Sequence, residues 1–173
     1  SRENVFLIEN NRVFYPDFFP NVDKETEFRE NGVKSNYILK QAPSLNGNFL
    51  EISEELVIPK GYLFTRSDLN GREENGGWCG DLSLVGPKNE EAAHFVAPLC
   101  FDAAGKYIVG TYVLDVNPQT GNRVLKIRVP ASWLNDPQRV YPVVVDPLVV
   151  GPTSTWTGGA MPSCIVPAYN ADS

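Results

Sequence analysis

The sequence has few of the residues on which most catalytic and metal sites depend. It contains one histidine, His94, together with three cysteines and one methionine among 173 residues. A Ser-His-Asp or Cys-His catalytic site would therefore have to use His94. This residue lies inside a largely apolar stretch, residues 92–96, which is typical of a packed, hydrogen-bonded histidine in a strand. The sequence therefore predicts no catalytic residues and no enzyme.

Basic residues and long apolar runs are also scarce. Fifteen Lys and Arg stand against 21 Asp and Glu, which gives a net charge of −6. Because phosphate binding needs clustered Lys and Arg, this balance predicts no nucleic-acid partner. No apolar run approaches the length of about 18 residues that a membrane span needs. No signal peptide is recognisable, so we expect that a leader was removed or that the chain begins inside a longer protein.

Proline and glycine are plentiful, at 14 residues each, and they separate short apolar or alternating runs. Turn signals at intervals of about 8 to 12 residues are typical of sandwiches and barrels. Asn31-Gly32, which lies between two alternating runs, is the strongest hairpin signal in the chain. The sequence therefore predicts an all-β fold, either an antiparallel β-sandwich or a sandwich-like barrel of short strands.

Residues 124–150 give the clearest prediction of local structure. Apolar and charged residues nearly alternate over 124–129, as in a half-buried strand. Pro130 ends that strand because it has no N–H to donate, and it suits the first turn of a helix. We expect one short helical turn near 131–135, and then a strand over the β-branched residues 140–145 that is covered on both faces.

The composition changes after Val150. The Gly-Pro-Thr-Ser-Thr segment at 151–155 is typical of a linker, and residues 156–173 contain one short apolar run. We therefore predict a β-sandwich-like domain over 1–150. Over 151–173 we predict a linker, followed either by the start of another module or by a tail that docks on the domain.

Three cysteines, Cys79, Cys100 and Cys164, leave several pairings open. For an exported protein we favour a Cys79–Cys100 disulfide, with Cys164 free or paired outside this segment. The pairs Cys79–Cys164 and Cys100–Cys164 are alternatives that the sequence does not separate. Three reduced thiols are a further alternative, because free cysteine is often buried.

The longest polar irregular stretch, residues 67–77, contains the best candidates for a metal site. Its oxygen-bearing side chains include Asp68, Asn70, Glu73 and Glu74, and Ca²⁺ is bound by oxygens of this kind. The spacing differs from that of an EF-hand, and a plain solvated loop is the alternative interpretation. A structural Ca²⁺ is the one cofactor that the sequence suggests.

Two tryptophans are candidate ligand-binding residues. Trp78 and Trp156 each lie beside a pair of glycines, and an exposed indole is a good stacking platform for a sugar. Packing in the interior is the alternative for a side chain of this size. Trp133, in the predicted helical turn, is assigned to the core.

Two stretches of the sequence, residues 13–43 and 128–147, carry a resemblance to a known family. They resemble the β-rich region that precedes YD-repeat (Rhs-like) arrays or DNRLRE-type modules in large secreted bacterial cell-surface proteins. The family pattern opens on a tyrosine and a Phe-Pro-x-Val-Asp run, continues through a Gly-Val-Lys hairpin, and closes on Trp-Leu, Asp-Pro, Tyr-Pro-Val and Asp-Pro. The matching positions are Tyr15, Phe19, Pro20, Val22, Asp23, Gly32, Val33, Lys34, Trp133, Leu134, Asp136, Pro137, Tyr141, Pro142, Val143, Asp146 and Pro147.

The resemblance implies an exported protein located on the bacterial cell surface. It implies a non-catalytic structural or display module that spaces or caps neighbouring modules, and it carries over no catalytic residue. The alternative is an adhesin-like module that binds a glycan or a protein. The expected partners are therefore neighbouring domains of the same polypeptide, another surface protein or a glycan.

Overall fold

The computed structural model describes residues 7–30 and 32–150. In this part of the chain the predicted all-β fold is confirmed, with one short helix, α1 (Ala131–Leu134). In chain order the strands are β1 (Leu7–Glu9), β2 (Arg12–Phe19), β3 (Val22–Arg29), β4 (Gly32–Leu39), β5 (Phe49–Leu56), β6 (Leu63–Thr65), β7 (Arg72–Glu74), β8 (Gly77–Cys79), β9 (Leu82–Val85), β10 (Glu91–Phe95), β11 (Leu99–Phe101), β12 (Tyr107–Val109), β13 (Thr111–Val116), β14 (Arg123–Pro130), β15 (Val143–Asp146) and β16 (Leu148–Val150).

The strands form two antiparallel sheets in a sandwich-like arrangement. The larger sheet has the order β1-β2-β3-β4-β16-β10-β9-β6, and β15, β11 and β12 branch from β4. The smaller sheet has the order β5-β14-β13-β8-β7. Polar side chains join the two layers: the Tyr37 hydroxyl on β4 donates to Glu54 on β5, and Lys24 Nζ on β3 lies 2.7 Å from Glu54 Oε1.

The hydrophobic core lies between the sheets and follows the period of two that strands impose. Leu125, Ile127 and Val129 on β14 are buried, whereas Lys126 and Arg128 lie on the opposite face. Burying side chains of this size contributes about 1.5–3 kcal/mol each. The core consists of Tyr37, Leu39, Ile52, Leu82, Phe95, Cys100, Tyr112, Leu125, Ile127, Val129, Trp133, Leu134, Val143 and Val145.

The predicted helical turn after Pro130 is confirmed, and it covers one end of the core. Trp133 and Leu134 are buried, and the Tyr141 hydroxyl donates to the Leu134 carbonyl at 2.7 Å. The strand that follows begins later than predicted, at Val143, and Val140 is exposed. The reason is Pro142, which has no N–H to give to a ladder.

The strand β15 is fully covered on one of its two faces, whereas the sequence predicts cover on both. Val143 and Val145 have no exposed surface and pack in the core, and Val144 and Asp146 on the other face are half-buried. The edges of β15 pair with β4 and β11. The hairpin predicted at Asn31-Gly32 is also present: β3 and β4 pair in register from Arg29 opposite Gly32. Asn31 itself lies outside the described residues. No helix in the described part of the chain is long and apolar enough to cross a membrane.

The predicted Cys79–Cys100 disulfide is wrong. Cys100 is a free thiol with no exposed surface, and it packs in the core on β11 of the larger sheet. Cys79 lies on β8, which belongs to the smaller sheet. The alternative pair Cys100–Cys164 is excluded by the same free thiol, and Cys164 lies outside the described residues, as does the predicted linker and following segment at 151–173.

Candidate functional site

His94 is the centre of a polar network on β9 and β10. Its Nε2 lies 2.7 Å from Asp81 Oδ2, and its Nδ1 lies 3.2 Å from Glu91 Oε2. Residues three apart in a strand normally face opposite sides. The register between β9 and β10 shifts between Glu91 and Ala93, and a bulge of this kind re-aims a side chain. The shift lets Glu91 and His94 meet, and both ring nitrogens are engaged by carboxylates.

Neighbouring groups hold the two carboxylates in place. Asp81 Oδ1 accepts a hydrogen bond from the Ala97 N–H at 2.8 Å. Glu91 Oε2 accepts one from the Ser83 hydroxyl at 2.6 Å, and the hydroxyls of Ser67 and Ser83 are 2.9 Å apart. Through Ser67, the network therefore connects the polar loop before β7 to strands β9 and β10.

The electrostatics of the network favour a protonated imidazole ring. The hydrogen bond with Asp81 raises the pKa of His94 from 6.5 to about 9, with a further contribution from Glu91, while partial burial opposes the rise. The hydrogen bond from Ser83 lowers the pKa of Glu91. At neutral pH the site therefore holds an imidazolium between carboxylates.

This geometry limits what His94 can do chemically. An imidazolium can donate a proton or attract an anion, but both of its N–H groups point at carboxylates. Glu91 is the more exposed partner, at 49% of its side-chain surface. An incoming anion would therefore have to replace Glu91 at Nδ1. The prediction of a hydrogen-bonded histidine in a strand is confirmed.

The candidate calcium ligands are separated in the structure. Asp68 acts within its own loop, where Oδ1 accepts from the Asn70 N–H at 2.9 Å and Oδ2 accepts from the Asp81 N–H at 2.8 Å. Glu73 and Glu74 lie on β7, where they pair with Arg66 and Arg72 respectively. Within residues 7–30 and 32–150, no three His, Cys, Asp or Glu side chains form a group that could hold a metal ion. Calcium binding stays a prediction.

Trp78 is a packed residue. Its indole Nε1 donates to the Asp81 carbonyl at 3.0 Å, and the Arg66 guanidinium lies 5.2 Å from its ring centroid. Gly71 and Gly80 contact the same ring so closely that a Cβ on either would collide with it. The indole is therefore enclosed on several sides. Trp156, the other candidate for ligand binding, lies outside the described residues.

Comparison with known proteins finds similarity to bacterial nucleases. The relatives are the tRNA3(Ser)-specific nuclease WapA of Bacillus spizizenii, the tRNA(Glu)-specific nuclease WapA of Bacillus subtilis subsp. natto, and the tRNA nuclease WapA of Bacillus subtilis strain 168. Each is 26% identical over 151 residues, which is 82% of this chain. The chain spans about 6% of the length of these relatives. No family model and no solved structure matches the chain.

These relatives correct the functional predictions from the sequence. The predictions were a non-catalytic structural or display module, an adhesin-like binding module as the alternative, no enzyme, and no nucleic-acid partner. All four are contradicted, because the similar proteins are named as enzymes that act on tRNA. The net charge of −6 sums over all 173 residues and does not report where the charges lie. Binding depends on where cations lie and on what surrounds them.

The sequence did not predict the two acidic partners of His94. The partners of His94 were missed, although Glu91 lies three residues away and a bulge could have been considered. Asp81 could not be found in this way, because it is 13 residues from His94 and reaches it only through the pairing of β9 with β10.

Proposed function

We propose that this chain is a segment of a longer nuclease that cleaves tRNA. The observation that carries the proposal is the similarity over 82% of the chain to three tRNA nucleases. Because the chain spans about 6% of each relative, the proposed activity is that of the whole polypeptide. The identity of the tRNA is left open, since the names of the relatives specify different tRNAs.

The structure supports a segment that folds as one stable unit within such a nuclease. Residues of both sheets share one hydrophobic core, and the layers are also joined by Lys24, Tyr37 and Glu54. In this unit the His94 network fixes the loop around Asp68 and Asp81 against β10. The segment therefore presents its loops to a substrate in a fixed geometry.

The test is incubation of the full-length polypeptide with total tRNA, followed by separation of the products on a denaturing gel. We expect discrete tRNA fragments to accumulate with time. Double-stranded DNA of similar mass is the control substrate and should remain intact. If tRNA also remains intact over a wide range of enzyme concentration, pH and divalent cation, the proposal is wrong.

A second arm of the experiment locates the catalytic groups that cleave the tRNA. The 173-residue chain alone is incubated under the same conditions as the full-length polypeptide. Cleavage by the chain alone would place the groups inside it, and His94→Gln would then test the one histidine. Cleavage by the full-length polypeptide alone would place them in the remaining sequence.

We also propose that the polypeptide is secreted, and that this chain corresponds to the region that precedes YD-repeat or DNRLRE-type modules. Both proposals are supported by the motif positions in residues 13–43 and 128–147. The corresponding test is fractionation of the producing cells, with detection of the polypeptide by an antibody raised against the chain. Recovery from the medium or the cell wall is the expected result.

A further inference from the structure

A surface cleft lies at one end of the smaller sheet. Its volume is about 310 Å³, and Lys60, Tyr62, Val116, Asn122 and Arg123 are among its lining residues. One wall is the segment that follows β5, and the other is the end of the hairpin formed by β13 and β14. A volume of this size is within the range of about 300–1,000 Å³ that small-ligand sites occupy.

The cleft brings together two cations that have no carboxylate partner in the described part of the chain. Among the described residues, neither Lys60 nor Arg123 takes part in an ion pair. On the same strand as Arg123, Lys126 pairs with Asp115 at 3.3 Å and Arg128 pairs with Glu51 at 2.6 Å. The cleft therefore concentrates positive charge in a chain of net charge −6.

The position of Arg123 supports a binding role for its charge. By the alternation of β14, Arg123 falls on the same face as the buried Leu125 and Ile127, where an apolar residue is expected. It stands opposite Val116 on β13 and Leu56 on β5. Arg123 therefore lies at the end of β14, on the face of the strand that covers the core. Its neighbours across the sheet are apolar.

Glu55, an acidic residue whose side chain contacts the hairpin loop, is already engaged in hydrogen bonds. The two oxygens of Glu55 accept hydrogen bonds from the side chains of Asn117, Thr120 and Asn122 at 2.6 to 3.0 Å. Glu55 does not line the cleft. These bonds hold the hairpin loop in place and lower the pKa of Glu55. The carboxylate keeps its charge but is bonded to neutral donors and does not pair with Lys60 or Arg123, so both cations can take an external anion.

Tyr62 gives the cleft an aromatic wall. Its ring is half-buried, and its backbone N–H donates to the Pro59 carbonyl at 3.2 Å. The ring lies near Gly86 and the Glu90 carboxylate: an added Cβ at Gly86 would come 3.0 Å from Tyr62 Cε2 and closer still to Glu90. An aromatic ring beside cations is the arrangement on which proteins stack the bases of single-stranded nucleic acid.

We propose that this cleft binds one nucleotide unit of an RNA strand, with a phosphate between Lys60 and Arg123 and its base against Tyr62. The assignment of RNA rests on the proposed function. The preference for a phosphate rests on the cleft and on its two cations, Lys60 and Arg123, which form no ion pair within the described residues. The site contributes binding and orientation of the strand, and no bond is made or broken at it.

The test is the binding of labelled tRNA to the 173-residue chain, measured by fluorescence anisotropy at several salt concentrations. We expect Lys60→Ala and Arg123→Ala each to weaken binding several-fold. The double variant should also reduce the dependence of log K on log salt by roughly 0.7, the value for the loss of one phosphate contact on a single strand. Lys106→Ala is the matched control, because Lys106 is also exposed and makes no ion pair among the described residues. If it weakens binding as much as Lys60→Ala, the proposal is wrong.

Two further variants separate the cleft from a general effect of charge. Val116→Trp fills the cleft without changing charge, and Tyr62→Leu removes the ring; both should weaken binding while the thermal unfolding midpoint stays near that of the parent chain. Unchanged binding by a folded Val116→Trp variant would overturn the proposal. Equal displacement of tRNA by heparin at matched anionic charge would overturn the assignment to RNA.

The outcome is distinguishable from that of the proposed function. Loss of tRNA binding in the cleft variants would support the site even if the full-length polypeptide leaves tRNA intact. Cleavage of tRNA by the full-length polypeptide together with unaffected binding in the cleft variants would keep the nuclease proposal and remove the site.

Discussion

Arg139 and Asp102 form an ion pair in the interior of the protein. The Arg139 Nη1 lies 3.1 Å from Asp102 Oδ2, and the two side chains are 5% and 0% exposed. Burial alone would raise the pKa of Asp102, but the bonds from Arg139 and from the backbone amides of Lys106, Val140 and Ala104 outweigh it and lower that pKa. The carboxylate is therefore held ionised inside the fold.

The same arginine fixes the closing segment of the chain. Its guanidinium carbon lies 3.7 Å from the centroid of the Trp133 ring, and its Nε donates to the Trp133 carbonyl at 2.9 Å. Arg139 thus joins the helical turn to the loop that carries Asp102. Removing one partner of a buried ion pair leaves the charge of the other uncompensated. We therefore expect a substitution of Arg139 to have the largest single effect on the stability of the chain.

Arg139→Met should destabilise the chain by about 3–5 kcal/mol, because Asp102 would remain buried and charged without its cation. Equilibrium unfolding in urea, followed by far-UV circular dichroism, measures the change. Arg12→Met is the matched control, since Arg12 pairs with Glu25 and Glu27 through a side chain that is 55% exposed. A loss in Arg12→Met as large as that in Arg139→Met would contradict the interpretation.

The closing segment illustrates how much of the fold can be predicted from the sequence. Alternation over 124–129, the stop at Pro130 and the valine-rich run are local signals, and they predicted β14, α1 and β15. Arg139 carries no local signal of its role, because its partner Asp102 is 37 residues away. Contacts of this kind depend on which strands are neighbours in the sheet. The alternation of side chains along a strand does not reveal its neighbours.

The cleft lined by Lys60 and Arg123 was less predictable than the fold for the same reason. Lys60 and Arg123 are far apart in the sequence and meet only because β5 and β14 pair. The composition gave their charges but did not show that Glu55 is hydrogen-bonded by the hairpin loop and does not pair with them. Net charge therefore predicted no nucleic-acid partner, whereas the cleft holds two cations that form no ion pair within the described part of the chain.

Gly71 is predicted to be required for the packing of Trp78. An added Cβ at this position would overlap the indole, so Gly71→Ala should cost about 1–3 kcal/mol of the free energy of unfolding, as overpacking generally does. Gly47→Ala is the control, because nothing lies within 4 Å of a Cβ at Gly47. Urea unfolding of both variants measures the difference, and a neutral Gly71→Ala would show that the ring is free to move.

Cys100 is predicted to be inert to alkylation in the folded protein. Burial raises the pKa of its thiol, and each unit of pKa above the labelling pH lowers the thiolate fraction about tenfold. Treatment with iodoacetamide at pH 8, followed by peptide mass mapping, should leave Cys100 unmodified in buffer and modify it in concentrated urea. Equal labelling in the two conditions would mean that the strand β11 opens readily.

The His94 network predicts a stability that falls at alkaline pH. Asp81, and then Glu91, raise the pKa of His94 from 6.5 to about 9, so the folded state binds the proton more tightly than the unfolded state does. This contribution is fully present below pH 6.5 and is lost as the pH rises through about 9. With allowance for solvent at a side chain that is 32% exposed, we expect a loss of about 1–2 kcal/mol.

Urea unfolding of the parent chain and of His94→Gln at pH 6, 7.5 and 9 measures this dependence. Glutamine keeps a donor near Asp81 but does not titrate, so the slope between pH 6.5 and 9 should largely disappear while stability at pH 9 changes little. A slope that persists in His94→Gln would assign the alkaline loss to another group. A parent chain whose stability is constant over this range would mean that the carboxylates of Asp81 and Glu91 do not hold the proton on His94.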